Sequence, residues 1–147
     1  MVGGHGKVGI IFRELRIHQW VKNLLLAAPL ILAHRWMEPE RLLALAHGFL
    51  SFSLVASAVY IINDLVDLER DRRHPTKRHR PLAAGLLSMR TGVLMATGLL
   101  AGGLAWALVW TGPLPFLVLV VYLLLNGLYS FKLKQIAVLD VVFLTLM

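Results

Sequence analysis

Residues 42–62 and 91–131 contain no Lys, Arg, Asp or Glu. An α-helix rises about 1.5 Å per residue, so about 20 apolar residues reach across the ~30 Å hydrocarbon core of a bilayer. The first run is long enough for one crossing and the second for two. Hydrophobic residues make up 58% of the 147-residue chain and mean hydropathy is +0.71, against roughly 45–50% apolar residues in a soluble domain. These runs predict an all-α, polytopic transmembrane helical bundle. With no cysteine, disulfide frameworks and thiolate metal sites are excluded.

Turn and interface residues divide the chain into about four spans and the start of a fifth. Their expected positions are 17–36, 41–62, 91–110, 114–130 and 137–147, in one domain. Residues 1–15 read as a frayed tail or a short interfacial helix. The first span takes Trp20 and Trp36 as its interface residues and includes Lys22, which can snorkel or face a cavity. A signal peptide is the rival reading of that segment, but no clear small-residue cleavage site follows its apolar core. Glu38-Pro39-Glu40 reads as a helix start, and Thr111-Gly112-Pro113-Leu114-Pro115 as the turn between the third and fourth spans. Ser51, Ser53 and Ser57 are expected to pack between helices, as are Gly98 and Gly102, which lie four apart. His47 reads as a packed histidine. The last run begins at Asp140, costly in lipid unless it faces protein or a wet cavity. It ends after seven more residues, too few to cross, so the chain reads as the amino-terminal part of a larger bundle.

Charge is concentrated in one stretch, Asn63 to Gly85 (NDLVDLERDRRHPTKRHRPLAAG), which holds four of the eight acidic residues. Asn63, Asp67 and Asp71 recur every four residues, and Asp64 borders the same face of a helix. Carboxylates at that spacing repel each other. A hard cation with oxygen ligands removes the repulsion, and Mg²⁺ commonly takes one or two protein carboxylates, filling its other positions with water and substrate phosphate. Pro75 and Pro81 end the helix and turn the basic residues Lys77, Arg78 and Arg80 into a loop. Arg and Lys are the residues that bind phosphate oxygens. The competing reading is a solvated loop in which the acids pair with Arg70, Arg72 and Arg73.

The stretch resembles the first aspartate-rich motif of the UbiA superfamily of intramembrane prenyltransferases, NDxxDxxxD followed by a basic segment ending in Arg-Pro. Its fuller form is similar to the subgroup containing decaprenyl-phosphate phosphoribosyltransferase. Gln19-Trp20-Val21-Lys22-Asn23 also fits that subgroup, and Tyr129, Ser130, Leu133 and Lys134 match a Tyr-Ser-x-x-Leu-Lys segment of the family. The resemblance implies half of a nine-span fold and a transferase that displaces diphosphate. On this reading Asp64, Asp67 and Asp71 are catalytic, holding Mg²⁺ together with Asn63. Lys22, Asn23, Lys77, Arg80, Tyr129 and Lys134 then bind substrate phosphate. The implied partners are an isoprenoid lipid, a diphosphate-bearing substrate and membrane lipids, with a second chain or a missing carboxy-terminal half completing the bundle.

Charge sidedness is an independent guide. With the amino terminus in the cytoplasm, thirteen of the fifteen Lys and Arg fall on the inner side, leaving only Arg35 and Arg41 outside. This predicts an integral protein of a bacterial inner membrane, with the acidic motif and the Tyr-Ser segment on one side. The net charge of +7 then reflects position in a membrane rather than nucleic-acid binding. The alternative to an enzyme is a non-catalytic membrane protein whose basic loop binds anionic lipid. A phosphatidyl-alcohol transferase is disfavoured by the absence of its DGxxAR motif.

Overall fold

The computed structural model describes residues 6–128 and 130. They form six α-helices: α1 (Lys7–Glu14), α2 (Ala28–Leu32), α3 (Pro39–Val66), α4 (Leu68–Arg73), α5 (Met89–Trp110) and α6 (Pro113–Leu128). Two 3-10 helices, Ile17–Ala27 and Lys77–His79, complete the described elements. Helices α3 and α5 are long and apolar enough to cross a membrane, and Ile17–Leu32 and Pro113–Leu128 are shorter apolar helical stretches. The expected fifth run, with Asp140, lies outside the described residues.

The segment expected as one helix over 17–36 is mostly a 3-10 helix continued by α2, and it stops at Leu32. Its partner explains the tighter winding. Trp20 Nε1 donates to Ser57 Oγ at 3.0 Å, and Asn23 Nδ2 donates to Ser53 Oγ at 2.9 Å. Three residues of 3-10 helix advance about 6 Å, as do four residues of α-helix. Side chains three apart therefore match serines four apart on the antiparallel α3. Ser57 Oγ donates in turn to the Leu15 carbonyl at 2.8 Å. The two serines are buried and fully engaged, so they fasten the amino-terminal arm as well as filling space. The stretched winding also gives Ile17–Leu32 a length of about 30 Å, the thickness of a hydrocarbon core.

Helices α3 and α5 pack antiparallel, and small residues set their approach. A Cβ built on Gly103 meets Val55 Cγ2 at 2.7 Å, the Ser51 carbonyl oxygen at 3.1 Å and Leu54 Cβ at 3.2 Å. Gly92, Ala96 and Ala107 are buried on the same face. Gly98 and Gly102, expected to make this contact, are exposed with nothing near them. The packed stripe is thus 92, 96, 103 and 107, offset from the pair that sequence spacing singled out. Val55, Ala107 and Leu119 form a core that includes α6. Further along, Ile61, Leu68, Leu82 and Ala96 form a second core under the acidic motif. His47 stacks on Trp110 with ring centroids 5.1 Å apart and touches Trp106, which makes it a packed residue.

Gly103→Ala is expected to cost about 1–3 kcal/mol, because the added methyl overpacks a backbone contact. Gly98→Ala should change stability by less than about 0.5 kcal/mol, since its Cβ meets nothing. Thermal unfolding in detergent compares the two directly, and equal effects would refute the assigned interface.

Candidate functional site

The acidic motif is not one unbroken helix. Helix α3 ends at Val66, and Asp67 takes a non-helical conformation (φ −88, ψ 6) before α4 begins. Amide hydrogen bonds from Asp67 to Asn63 and from Asp71 to Asp67 nevertheless preserve the four-residue register across the break. The acids that converge are Asp64 and Asp71, two helical turns apart, with Asn63 and Asp67 of the expected 63/67/71 ladder to one side. Asp64 is 5% exposed and Asp71 1%.

Two arginines neutralise them. Arg16 Nη2 donates to both oxygens of Asp64, at 2.8 and 2.7 Å. Arg80 Nη1 donates to Asp64 Oδ1 at 2.9 Å and to Asp71 Oδ2 at 2.5 Å. Each has a local cause. Arg80 is followed by the buried Pro81 and Leu82, which insert beneath the loop, and Gly85 at φ +73 turns the chain back toward α5. Arg16 sits in the left-handed region, φ 52 and ψ 43, at the joint between α1 and the 3-10 helix. Its guanidinium carbon lies 5.0 Å from the centroid of the Tyr60 ring.

Beside these pairs is a cavity of about 290 Å³, lined by Arg13, Glu14, Arg16, Asp64, Lys77 and Arg80, with His18 and His79 at its wall. Lys77 and Arg80 are thus where phosphate ligands were expected, next to the acids. Asp67 lies at the edge, with Arg70 Nη1 3.6 Å from Oδ1, and Glu69 pairs with Arg72 at 2.8 Å. The surface-pair reading therefore describes those two acids and fails for Asp64 and Asp71. Asn63 Oδ1 accepts a hydrogen bond from Ser130 Oγ at 2.6 Å. This places the start of the acidic motif against Ser130. Asn23 is used by Ser53 and lines an apolar cavity, and Lys22 is exposed. The structure brings neither to the acids, because the 3-10 helix faces the middle of α3 instead of its end. Tyr129 and Lys134 lie outside the described residues.

Arg13, Glu14, Arg16, His18 and His79 join the site without having been singled out in the sequence. Glu14 is 1% exposed, and its carboxyl makes no well-formed hydrogen bond, with only the Leu82 backbone N–H close enough to favour its charged form. Asp71 Oδ1 is buried and unpartnered. Among the described residues no three acidic or histidine side chains already converge as a metal site. Mg²⁺ needs only one or two carboxylates, however. Asp64 and Asp71 share one guanidinium nitrogen, and a spare buried oxygen remains on Asp71. That donor set fits a hard divalent cation.

The Glu14 carboxyl is pushed up to about 7, first by burial and then by the negative Asp64, with Arg16 and Arg80 opposing. An unfolded glutamate titrates near 4.5. Between these values the folded chain binds a proton that the unfolded chain has released, so stability falls as pH rises through that window. The expected loss is at most a few kcal/mol, complete above pH 7. Glu14→Gln should flatten the pH profile of unfolding between pH 4.5 and 7. An unaltered slope would show that Glu14 does not titrate there.

The UbiA prenyltransferase family matches residues 24–147. A decaprenyl-phosphate phosphoribosyltransferase of Mycobacterium tuberculosis is 44% identical over 139 residues, covering 89% of this chain and 44% of that protein. An uncharacterized protein of Sinorhizobium fredii is 49% identical over 128 residues, covering 87% of this chain and 25% of its own length. Nodulation protein NoeC of Azorhizobium caulinodans is 41% identical over 125 residues, covering 85% of this chain and 40% of that protein. The chain therefore spans less than half the length of these relatives. Its acidic motif, its basic loop and the match over most of its residues agree: the chain belongs to the UbiA prenyltransferase family.

Proposed function

We propose that this chain forms the amino-terminal, diphosphate-binding half of a Mg²⁺-dependent intramembrane transferase. The observation that carries the proposal is the pair of buried carboxylates, Asp64 and Asp71, held together beside a cavity that Arg13, Arg16, Lys77 and Arg80 also line. Burying two acids without function is a poor route to stability, because desolvation commonly matches or exceeds the gain from pairing. Asp64 and Asp71 would hold the metal, with Asp67 and Asn63 at the edge of the site. When bound, Mg²⁺ would neutralise the charge that develops on a departing diphosphate. Lys77, Arg80, Arg13 and Arg16 bind and orient the diphosphate oxygens. The surrounding helices exclude water from the carbon under attack. Tyr129 and Lys134 are assigned to the same phosphates by family resemblance.

For the donor we favour phosphoribosyl diphosphate, with a polyprenyl phosphate as acceptor, because the phosphoribosyltransferase relatives match across 89% of this chain. An apolar cavity of about 320 Å³ between α3 and α6, lined by Leu45, Phe52, Leu114 and Val118 among others, suits an isoprenoid tail. The amino terminus and the acidic motif are assigned to the cytoplasmic side.

Radiolabel transfer in membranes carrying the chain tests this. Label should pass from phosphoribosyl diphosphate to polyprenyl phosphate only with Mg²⁺, and Asp64→Asn should reduce it by roughly 10²-fold, the scale for losing one preorganised charge-stabilising group. Transfer from a prenyl diphosphate instead would overturn the donor assignment. No transfer, together with binding to anionic vesicles that Asp64→Asn and Asp71→Asn leave intact, would favour a lipid-binding loop.

A further inference from the structure

Three buried carboxyl groups, Glu14, Asp64 and Asp71, lie beside two guanidiniums, Arg16 and Arg80, and Arg13 and Lys77 line the same cavity. One oxygen of Asp71 is buried without a partner, a costly arrangement that a cation on that oxygen would relieve. Meanwhile the arginines sit on the oxygens that a cation would need. Arg16 takes both oxygens of Asp64, and Arg80 spans Asp64 and Asp71.

Arg16 engages one carboxylate where Arg80 bridges two, and its guanidinium borders both the cavity and the Tyr60 face. Its backbone adopts the left-handed conformation that non-glycine residues hold only where the surroundings impose it, and which clusters at functional positions. Arg80 is pinned by the buried Pro81 and Leu82 that follow it. A guanidinium resting on a carboxylate beside a cationic cavity has two partners within reach: that carboxylate, or an incoming phosphate.

We propose that Arg16 is an exchangeable counter-cation, occupying Asp64 in the unliganded protein and passing to the diphosphate when a divalent cation takes the carboxylate. This rests on the transferase reading and adds a residue from outside the acidic and basic motif. One consequence is thermodynamic. A divalent cation alone must displace Arg16, and diphosphate alone must draw Arg16 away and leave Asp64 underpaired. Together each ligand removes the other's competitor. Their binding is therefore coupled, and the coupling is reciprocal.

The test uses the full chain in nanodiscs, with Mn²⁺ followed by EPR and inorganic pyrophosphate by calorimetry. In the wild type, each probe should tighten the other by roughly tenfold or more, within the usual range for coupled sites. Arg16→Gln should bind Mn²⁺ alone several-fold more tightly, bind pyrophosphate alone more weakly, and lose most of the coupling. Arg16→Lys should restore part of it. An unfolding temperature of Arg16→Gln close to that of the wild type separates a gain in Mn²⁺ affinity from acids exposed by misfolding. If Arg16→Gln binds Mn²⁺ as weakly as the wild type, or more weakly, and the coupling is unchanged, the exchange is refuted while the transferase reading stands. If the wild type binds neither probe, both fall.

Discussion

The bifurcated ion pair at Asp64 is the joint on which this structure depends. It ties together three pieces of chain that are remote in sequence: the end of the amino-terminal arm through Arg16, the end of α3 through Asp64 itself, and the basic loop through Arg80. Arg80 extends the joint to α4 by its second contact, with Asp71. Removing one partner of a buried pair leaves an uncompensated charge, which is far worse than never having built the pair. The joint therefore constrains everything that positions its members.

Those supports can be traced outward. The arm reaches Asp64 because the 3-10 helix keeps Trp20 and Asn23 in step with Ser57 and Ser53. The loop reaches it because Leu82 inserts into the core formed with Ile61, Leu68 and Ala96. That core exists because α5 approaches α3 closely at Gly103, where a side chain would intrude, and because Leu65 and Leu82 pack directly over Gly92. Close helix packing, a buried loop anchor and a paired buried acid are thus successive consequences of small residues on one helix face.

Much of this could be read from local sequence. The uncharged runs, the helix start at Pro39, the turn at Gly112-Pro113 and a basic loop directly after the acids all follow from local chemistry. The structure retains each of them, with Gly112 at φ +81. What could not be read depends on partners distant in the chain. Asp67 interrupts the helix, yet the hydrogen bonds across it keep the register, so spacing alone predicted the ladder but not which acids converge. The winding of Ile17–Ala27 is set by serines thirty or more residues away. Glu14 and Arg16 look like ordinary surface charges until they are placed against Asp64. Gly98 and Gly102 have the right spacing on the wrong face.

In the proposed transferase, Asp64 and Asp71 jointly hold a divalent cation against diphosphate. The most direct measurement is the ³¹P hyperfine coupling of Mn²⁺ bound to the chain with pyrophosphate, read by electron–nuclear double resonance. A coupling typical of phosphate directly on the metal, absent in the Asp64→Asn, Asp71→Asn double variant, is the expected result. A Mn²⁺ ion that shows no such coupling, or one that persists without both carboxylates, would contradict it.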